Sequence, residues 1–230
     1  MSPKHPQKRA IVLLSGGLDS TLCLAEMHAS HEVVLALTFH YGQKAFSQEL
    51  KAAQALCQHY QVAHQVVDLP WYHNLLPEFM QAEKNVDWQA IAESANDLYD
   101  AKPVWVPNRN GVLLNIAAAF AEAHQANCVV FGANAEEGER FPDNTEHYRN
   151  NVTQALADST LNHVEVVCPV VEMTKPQMVE RAKTLNVPLH LVWSCYSDGP
   201  EHCGFCPSCV RLKNALGTLP EKGSELQNIC

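Results

Sequence analysis

The sequence lacks any cluster of basic residues. Its 16 Lys and Arg are outnumbered by 25 Asp and Glu, for a formal charge of −9. Wrapping a nucleic-acid backbone requires clustered Lys and Arg, so direct nucleic-acid binding is not expected, and the net charge reads as solubility. Long apolar runs are missing too. The first, Ile11-Val12-Leu13-Leu14, is far shorter than a signal-peptide core or a membrane span, and no later stretch reaches membrane length. The expectation is a cytoplasmic protein without membrane contact. There is no internal repeat and no low-complexity tract.

What is present is apolar content, 47% over 230 residues, enough for one full-sized core with a small appendage. Strand-like and helix-like segments alternate along it. Residues 10–14, 33–39, 63–68, 128–131 and 164–168 read as strands. Residues 20–27, 47–59, 112–124, 146–157 and 174–185 read as helices, the last opened by a capping box of Thr174 and Gln177. This alternation predicts an α/β fold with a doubly wound, mainly parallel sheet. In such sheets ligands sit beyond the carboxyl ends of the strands at a topological switch point, so the loops after Leu14, Phe39 and Phe131 should frame one crevice. Residues 71–102 mix aromatics, Asn, Asp and Pro and read as part of a long insertion near 71–105. The organisation expected is an α/β domain over 1–190 and a cysteine-bearing tail over 191–230.

The loop after the first strand is Ser15-Gly16-Gly17-Leu18-Asp19-Ser20-Thr21. Two glycines let the backbone turn tightly and approach a ligand. The helix that follows offers unpaired N–H groups and the positive end of its dipole to an anion. Ser15, Ser20 and Thr21 add hydroxyls, and Asp19 could cap the helix or help hold Mg²⁺. The loop has neither the Gly-Lys-Ser/Thr of a Walker A motif nor the Rossmann glycine pattern. Without an in-loop lysine it suits pyrophosphate held by backbone and hydroxyls, hence ATP cleaved between its α and β phosphates. Its hexapeptide resembles the PP-loop ATP pyrophosphatase motif.

Nine cysteines are present. Cys23, Cys57, Cys128 and Cys168 are scattered through apolar or helical segments, whereas Cys203, Cys206 and Cys209 recur at intervals of three, with Cys195 eight residues upstream. Four thiolates can close a tetrahedral shell around one zinc, and a closed shell leaves no open position for catalysis. The expected role is structural, stabilising a tail too short for its own core. His202 is a competing ligand, and an iron–sulfur cluster is chemically compatible with the same thiols. Ligand geometry and the lack of a redox motif favour zinc.

Together these motifs resemble the 7-cyano-7-deazaguanine synthase family. The resemblance runs from Leu14–Ser20 through Phe39-His40-Tyr41-Gly42-Gln43-Lys44, Val106-Pro107-Asn108-Arg109-Asn110 and Phe141-Pro142-Asp143 to Trp193-Ser194-Cys195-Tyr196 and the cysteine triplet. It implies conversion of 7-carboxy-7-deazaguanine to its nitrile with ATP, Mg²⁺ and ammonia, through adenylated carboxylate and amide, and it implies homodimers. It also implies that ATP is held by Leu14, Ser15, Gly16, Gly17, Leu18, Asp19, Ser20, Thr21, Leu22, Cys23 and Leu24. Lys175 is expected to neutralise phosphate charge, Arg109 to meet ATP or the substrate carboxylate, and Asp143 to meet the guanine-like edge, with zinc on Cys195, Cys203, Cys206 and Cys209. Tyr41 and Gln43 are expected to line the pocket, and His40, beside that loop, is the histidine placed to carry a proton. The chain departs from the commoner family pattern over residues 137–144 and at Asn108, where glycine is frequent. Rival readings are another PP-loop ligase, either an amide-forming deazaguanine enzyme or a tRNA thiolase, and a non-catalytic ATP-binding module. The acidic charge and the fully employed cysteines oppose the thiolase.

Overall fold

The computed structural model describes residues 8–77 and 105–220. Most of the expected insertion, from residue 78 to 104, lies outside them, as does Cys230; its first described residues, Trp71 to Leu75, belong to the 3-10 helix Pro70–Leu75.

Among the described residues, five strands make one wholly parallel sheet: β1 (Arg9–Leu13), β2 (Glu32–His40), β3 (His64–Asp68), β4 (Cys128–Val130) and β5 (Glu165–Val167), in the order β3-β2-β1-β4-β5. A parallel sheet covered on both faces needs strands that are apolar throughout. β1 meets this: Ala10, Ile11 and Val12 are fully buried, as are Val129 and Val130 of β4. The edge strand β3, His64-Gln65-Val66-Val67-Asp68, carries polar residues and no buried one.

Helix α1 (Leu18–Ser30) follows β1 and α2 (Phe46–Tyr60) follows β2; α3 (Arg109–Ala123) precedes β4. In α3, Leu113, Leu114, Ala117, Ala118 and Ala121 are buried, the i, i+4, i+8 row that turns one apolar face to the sheet. The alanines let this helix lie close to the strands. A one-turn α4 (Ala135–Gly138) and α5 (Glu146–Ser159) connect β4 to β5, and α6 (Lys175–Thr184) follows β5. At the start of α6 the Gln177 side chain accepts the Thr174 backbone N–H at 2.9 Å, the return half of the expected capping box. Helix α7 (Pro207–Leu216) ends the described chain and packs on α6, which packs on α1. No helix among the described residues is long and apolar enough to cross a membrane.

The chain winds outward from β1 to β3 and then returns to the other side of β1 for β4. The order therefore reverses between β1 and β4, and the loops leaving these two strands diverge there.

Candidate active site

The crevice at this switch point has a volume of about 250 Å³. Its floor is the loop after β1. Ser15 Oγ accepts the Gly17 N–H at 3.3 Å and lies 3.1 Å from Ser20 Oγ, which in turn accepts the Ser15 N–H at 3.3 Å. Gly16 has φ +80°, and a Cβ there would stand 2.7 Å from Ala52 Cβ of α2. Gly17 has an ordinary φ of −73°; it caps α1 with no side-chain bond to the first turn and faces the crevice. The helix thus presents uncapped N–H groups where an anion would lie. Gly132, just past β4, closes the far side. A Cβ on it would fall 2.7 Å from the Ser20 nitrogen, so only glycine lets the end of β4 approach α1.

Above the loop sits a charged group drawn from four elements. Asp19 is in the first turn of α1 rather than at its cap; the cap position is Gly17, which has no side chain to bond the first turn. One Asp19 oxygen pairs with Lys175 Nζ and the other accepts from Asn134 Nδ2 at 2.6 Å. Lys175 Nζ is also 3.7 Å from Glu137 Oε1, and Arg211 Nη2 is 3.6 Å from that same oxygen. Burial pushes the Asp19 carboxyl up, but Lys175 and Asn134 outweigh it and hold it below the ordinary 3.8. Burial likewise opposes the Lys175 charge, and Asp19 with Glu137 overcomes it, leaving its pKa raised. Both groups are therefore ionised at neutral pH.

The opposite wall is built around Arg109, the first residue of α3. Its guanidinium faces Tyr41 and Asp143, whose attraction outweighs burial and raises its pKa. Burial pushes the Tyr41 hydroxyl up to about 12, so it remains a donor. Burial also raises Asp143, against the pull of Arg109. Asn110 pins the segment that carries Asp143, donating to the Asp143 carbonyl at 3.2 Å and to Asn144 Oδ1 at 2.9 Å. Gln43 accepts the Tyr41 N–H and donates to the Phe39 carbonyl and to Glu49 Oε2, each at 2.9 Å. Trp105 and Phe141 add two nearly parallel rings, 9° apart with centroids at 6.0 Å.

The third part is the cysteine centre. The Sγ atoms of Cys195, Cys203, Cys206 and Cys209 all lie within 4.8 Å of one another. A tetrahedron with 2.3 Å metal–sulfur bonds has edges of about 3.8 Å, so small side-chain movements close it. Backbone N–H groups of Ser197 and Cys203 point at Cys195 Sγ, that of Cys206 at Cys203 Sγ, and that of Cys209 at Cys206 Sγ, at 3.3–3.4 Å. Such donors favour thiolates, the form that binds metal. The four cysteines can therefore hold a metal ion, and His202 instead points Nε2 at the Ser194 N–H, 3.3 Å away. Cys23, Cys57, Cys128 and Cys168 are buried and apart from it.

Of the residues expected to hold ATP, Leu14, Ser15, Gly17, Leu18, Asp19 and Ser20 line the crevice; Gly16 does not, its turn packing against Ala52 instead, and Thr21, Leu22, Cys23 and Leu24 are fully buried in the core. Lys175, Arg109, Asp143, Tyr41 and Gln43 are all brought to its walls. His40 is not. Its Nδ1 meets Asp68 Oδ1 at 2.9 Å and its ring stacks on Phe46, away from the crevice. Sequence reasoning missed Asn134, Glu49, Trp105, Gly132 and Arg211. Only Arg211 had a local signal, its place two residues after Cys209.

A parallel sheet with a glycine-serine loop at its switch point and a charged wall facing it defines a nucleotide-binding protein of the PP-loop class. A solved 4-thiouridine synthetase–RNA complex with bound ATP shares this fold, with a TM-score of 0.50 and 15% identity, over 94% of this chain and 47% of that one. The chain belongs to the QueC family, described as queuosine biosynthesis protein QueC, whose family model matches residues 9–219. It is 44% identical to the 7-cyano-7-deazaguanine synthase of Bdellovibrio bacteriovorus, over 92% of this chain and 94% of that protein. It is 39% identical to that of Methanosarcina mazei, over 96% and 99%.

Proposed function

We propose that this chain converts 7-carboxy-7-deazaguanine and ammonia to 7-cyano-7-deazaguanine at the expense of ATP. What carries the reading is family membership across residues 9–219, in a chain whose crevice joins the glycine loop to the Arg109–Asp143 wall.

The physical logic follows from the substrate. A carboxylate is a poor electrophile until one oxygen becomes a leaving group. That oxygen attacks the α-phosphorus of ATP, and pyrophosphate departs. Ammonia then adds to the acyl carbon and AMP leaves, giving the amide. The amide oxygen attacks a second ATP in the same way. Loss of the nitrogen-bound protons and of AMP completes the nitrile. In this scheme the uncapped turn of α1, Ser15 and Ser20 hold phosphate oxygens, and Lys175 offsets charge that develops on pyrophosphate. Arg109 holds the substrate carboxylate and Asp143 accepts from the guanine-like edge. Mg²⁺, when bound, would neutralise phosphate charge beside Asp19. Zinc is the ion assigned to the four cysteines, as a structural centre for the segment 191–230. A cytoplasmic homodimer that does not bind nucleic acid directly completes the reading.

The test is incubation with ATP, ammonia and 7-carboxy-7-deazaguanine, followed by mass spectrometry and nucleotide analysis. The expected products are the nitrile, AMP and pyrophosphate, with two AMP per nitrile. ADP and phosphate as the sole nucleotide products would refute the α-phosphorus scheme. Accumulation of the amide alone would identify an enzyme that stops after one activation.

A further inference from the structure

We propose that Arg211 is a phosphate-binding residue of the ATP site, delivered there by the helix that opens on the cysteine centre. The assignment rests on the ATP reading above. Helix α7 has Cys206 as its N-cap, and Cys209 lies in its first turn. Metal ligation would therefore fix the azimuth of α7 and the direction in which position 211 points. That direction is into the crevice, where the side chain is only 14% exposed.

Three observations separate Arg211 from an ordinary surface cation. First, its Nη2 and Lys175 Nζ approach one carboxylate oxygen, Glu137 Oε1, at 3.6 and 3.7 Å. Both distances are long for a charge-assisted hydrogen bond, so the two cations flank an anionic oxygen without being saturated by it. A phosphate oxygen in the same space would meet the same two charges. Second, Arg211 Nε is buried with no hydrogen-bond partner. A buried donor without an acceptor is costly, and an incoming phosphate offers acceptors to a guanidinium edge. Third, the segment is tied to the glycine loop. The Trp193 N–H donates to the Gly16 carbonyl at 2.8 Å, and Gln48 Nε2 of α2 donates to the carbonyls of Asp198 and Gly199 at 3.0 and 2.9 Å. Arg211 and the loop therefore share one frame. The cysteine centre, four residues of one short stretch, becomes a positioning device for the second phosphate cation.

The experiment uses the metal-loaded full chain and two probes, the α,β-methylene analogue of ATP and adenosine, with affinities measured by calorimetry and metal content by elemental analysis. R211A is expected to weaken the analogue about ten- to a hundredfold, the scale of one charge-assisted hydrogen bond. Adenosine affinity and metal content should not change. R211K should recover part of the loss, and K213A, an exposed position on the same helix, should bind as wild type. Unchanged analogue affinity in R211A would overturn the assignment. So would an equal loss of analogue and adenosine, which marks collapse of the wall rather than lost phosphate contact. If R211A fails to fold, R211Q removes the same charge at nearly the same volume and is read by the same two affinities. A wild-type protein that binds neither probe would instead bring down the ATP reading.

Discussion

Gly16 and Gly17 are adjacent, and the structure gives them different work. Gly16→Ala should unfold the protein more readily, whereas Gly17→Ala should leave stability nearly unchanged and weaken nucleotide binding. At position 16 an L-residue would have to adopt φ +80°, at about 1–2 kcal/mol. Its Cβ would also sit 2.7 Å from Ala52 Cβ and 3.1 Å from the Glu49 carbonyl oxygen, pressing on backbone that cannot rotate aside. Overpacking of that kind costs about 1–3 kcal/mol. The sum, about 2–5 kcal/mol, is a large part of a typical folding free energy of about 5–15 kcal/mol. In urea the unfolding midpoint should fall by roughly 1–2 M. At position 17 the backbone is ordinary, and the nearest atom to a new Cβ is Ser15 Oγ at 3.5 Å. The added methyl stands at the floor of the crevice, where the cost falls on the ligand. Urea titration of both variants, with calorimetry of an ATP analogue, reads the two effects separately. A Gly16→Ala midpoint equal to wild type would refute the reasoning, as would a Gly17→Ala variant that loses stability and keeps its affinity.

Other outcomes follow from the same geometry. Asp19 has a depressed pKa, so the stability it contributes is full above the ordinary 3.8 and is lost as pH falls through its lower folded value. Asp19→Asn should flatten that acid limb, and a wild-type and variant profile of equal slope between about pH 5 and pH 2 would contradict the ion pair. Asn110→Ala removes the donor to the Asp143 carbonyl and Asn144 Oδ1. It should cost about 1–3 kcal/mol and raise KM for the deazapurine more than for ATP; equal changes in both would argue against a substrate-side role for this segment. Cys209→Ser should abolish binding of one equivalent of zinc and lower the melting temperature, and iron with sulfide in the wild-type protein would replace the zinc assignment.

How far the sequence can be read depends on how local each feature is. The strand–loop–helix of residues 9–30 is written in adjacent residues: an apolar run, two glycines, then hydroxyls. The cysteine centre is also local, because spacing alone brings three thiols to one helix start. Helix boundaries are less legible where polar residues carry them. The apolar spacing predicts a helix only from residue 112, yet α3 starts at Arg109 behind Asn108 with φ +51°. His40 reads as a pocket residue because its neighbour Tyr41 is one, but successive residues at a strand end point to opposite sides. The charged wall is the least legible part. Asn134 reaches Asp19 across 115 residues and Lys175 reaches it across 156, and nothing in the local pattern around Asn134 or Glu137 marks them as partners. Lys175 is visible only through resemblance. Such pairs are set by which loops the sheet order brings together, a property of the whole chain.

The hydrogen bond from Trp193 to the Gly16 carbonyl has a consequence for synthesis of the protein. The Ser15–Ser20 loop is made long before Trp193, the residue that completes its backbone hydrogen bonding at Gly16. A nascent chain with its first three strands out already carries the full glycine loop, and still lacks Lys175, Arg211 and the strap that braces Gly16. The bracing of Gly16 is thereby deferred until the segment that carries Trp193 has emerged and docked. A chain ended before residue 193 should make a sheet and yet be unable to spend ATP.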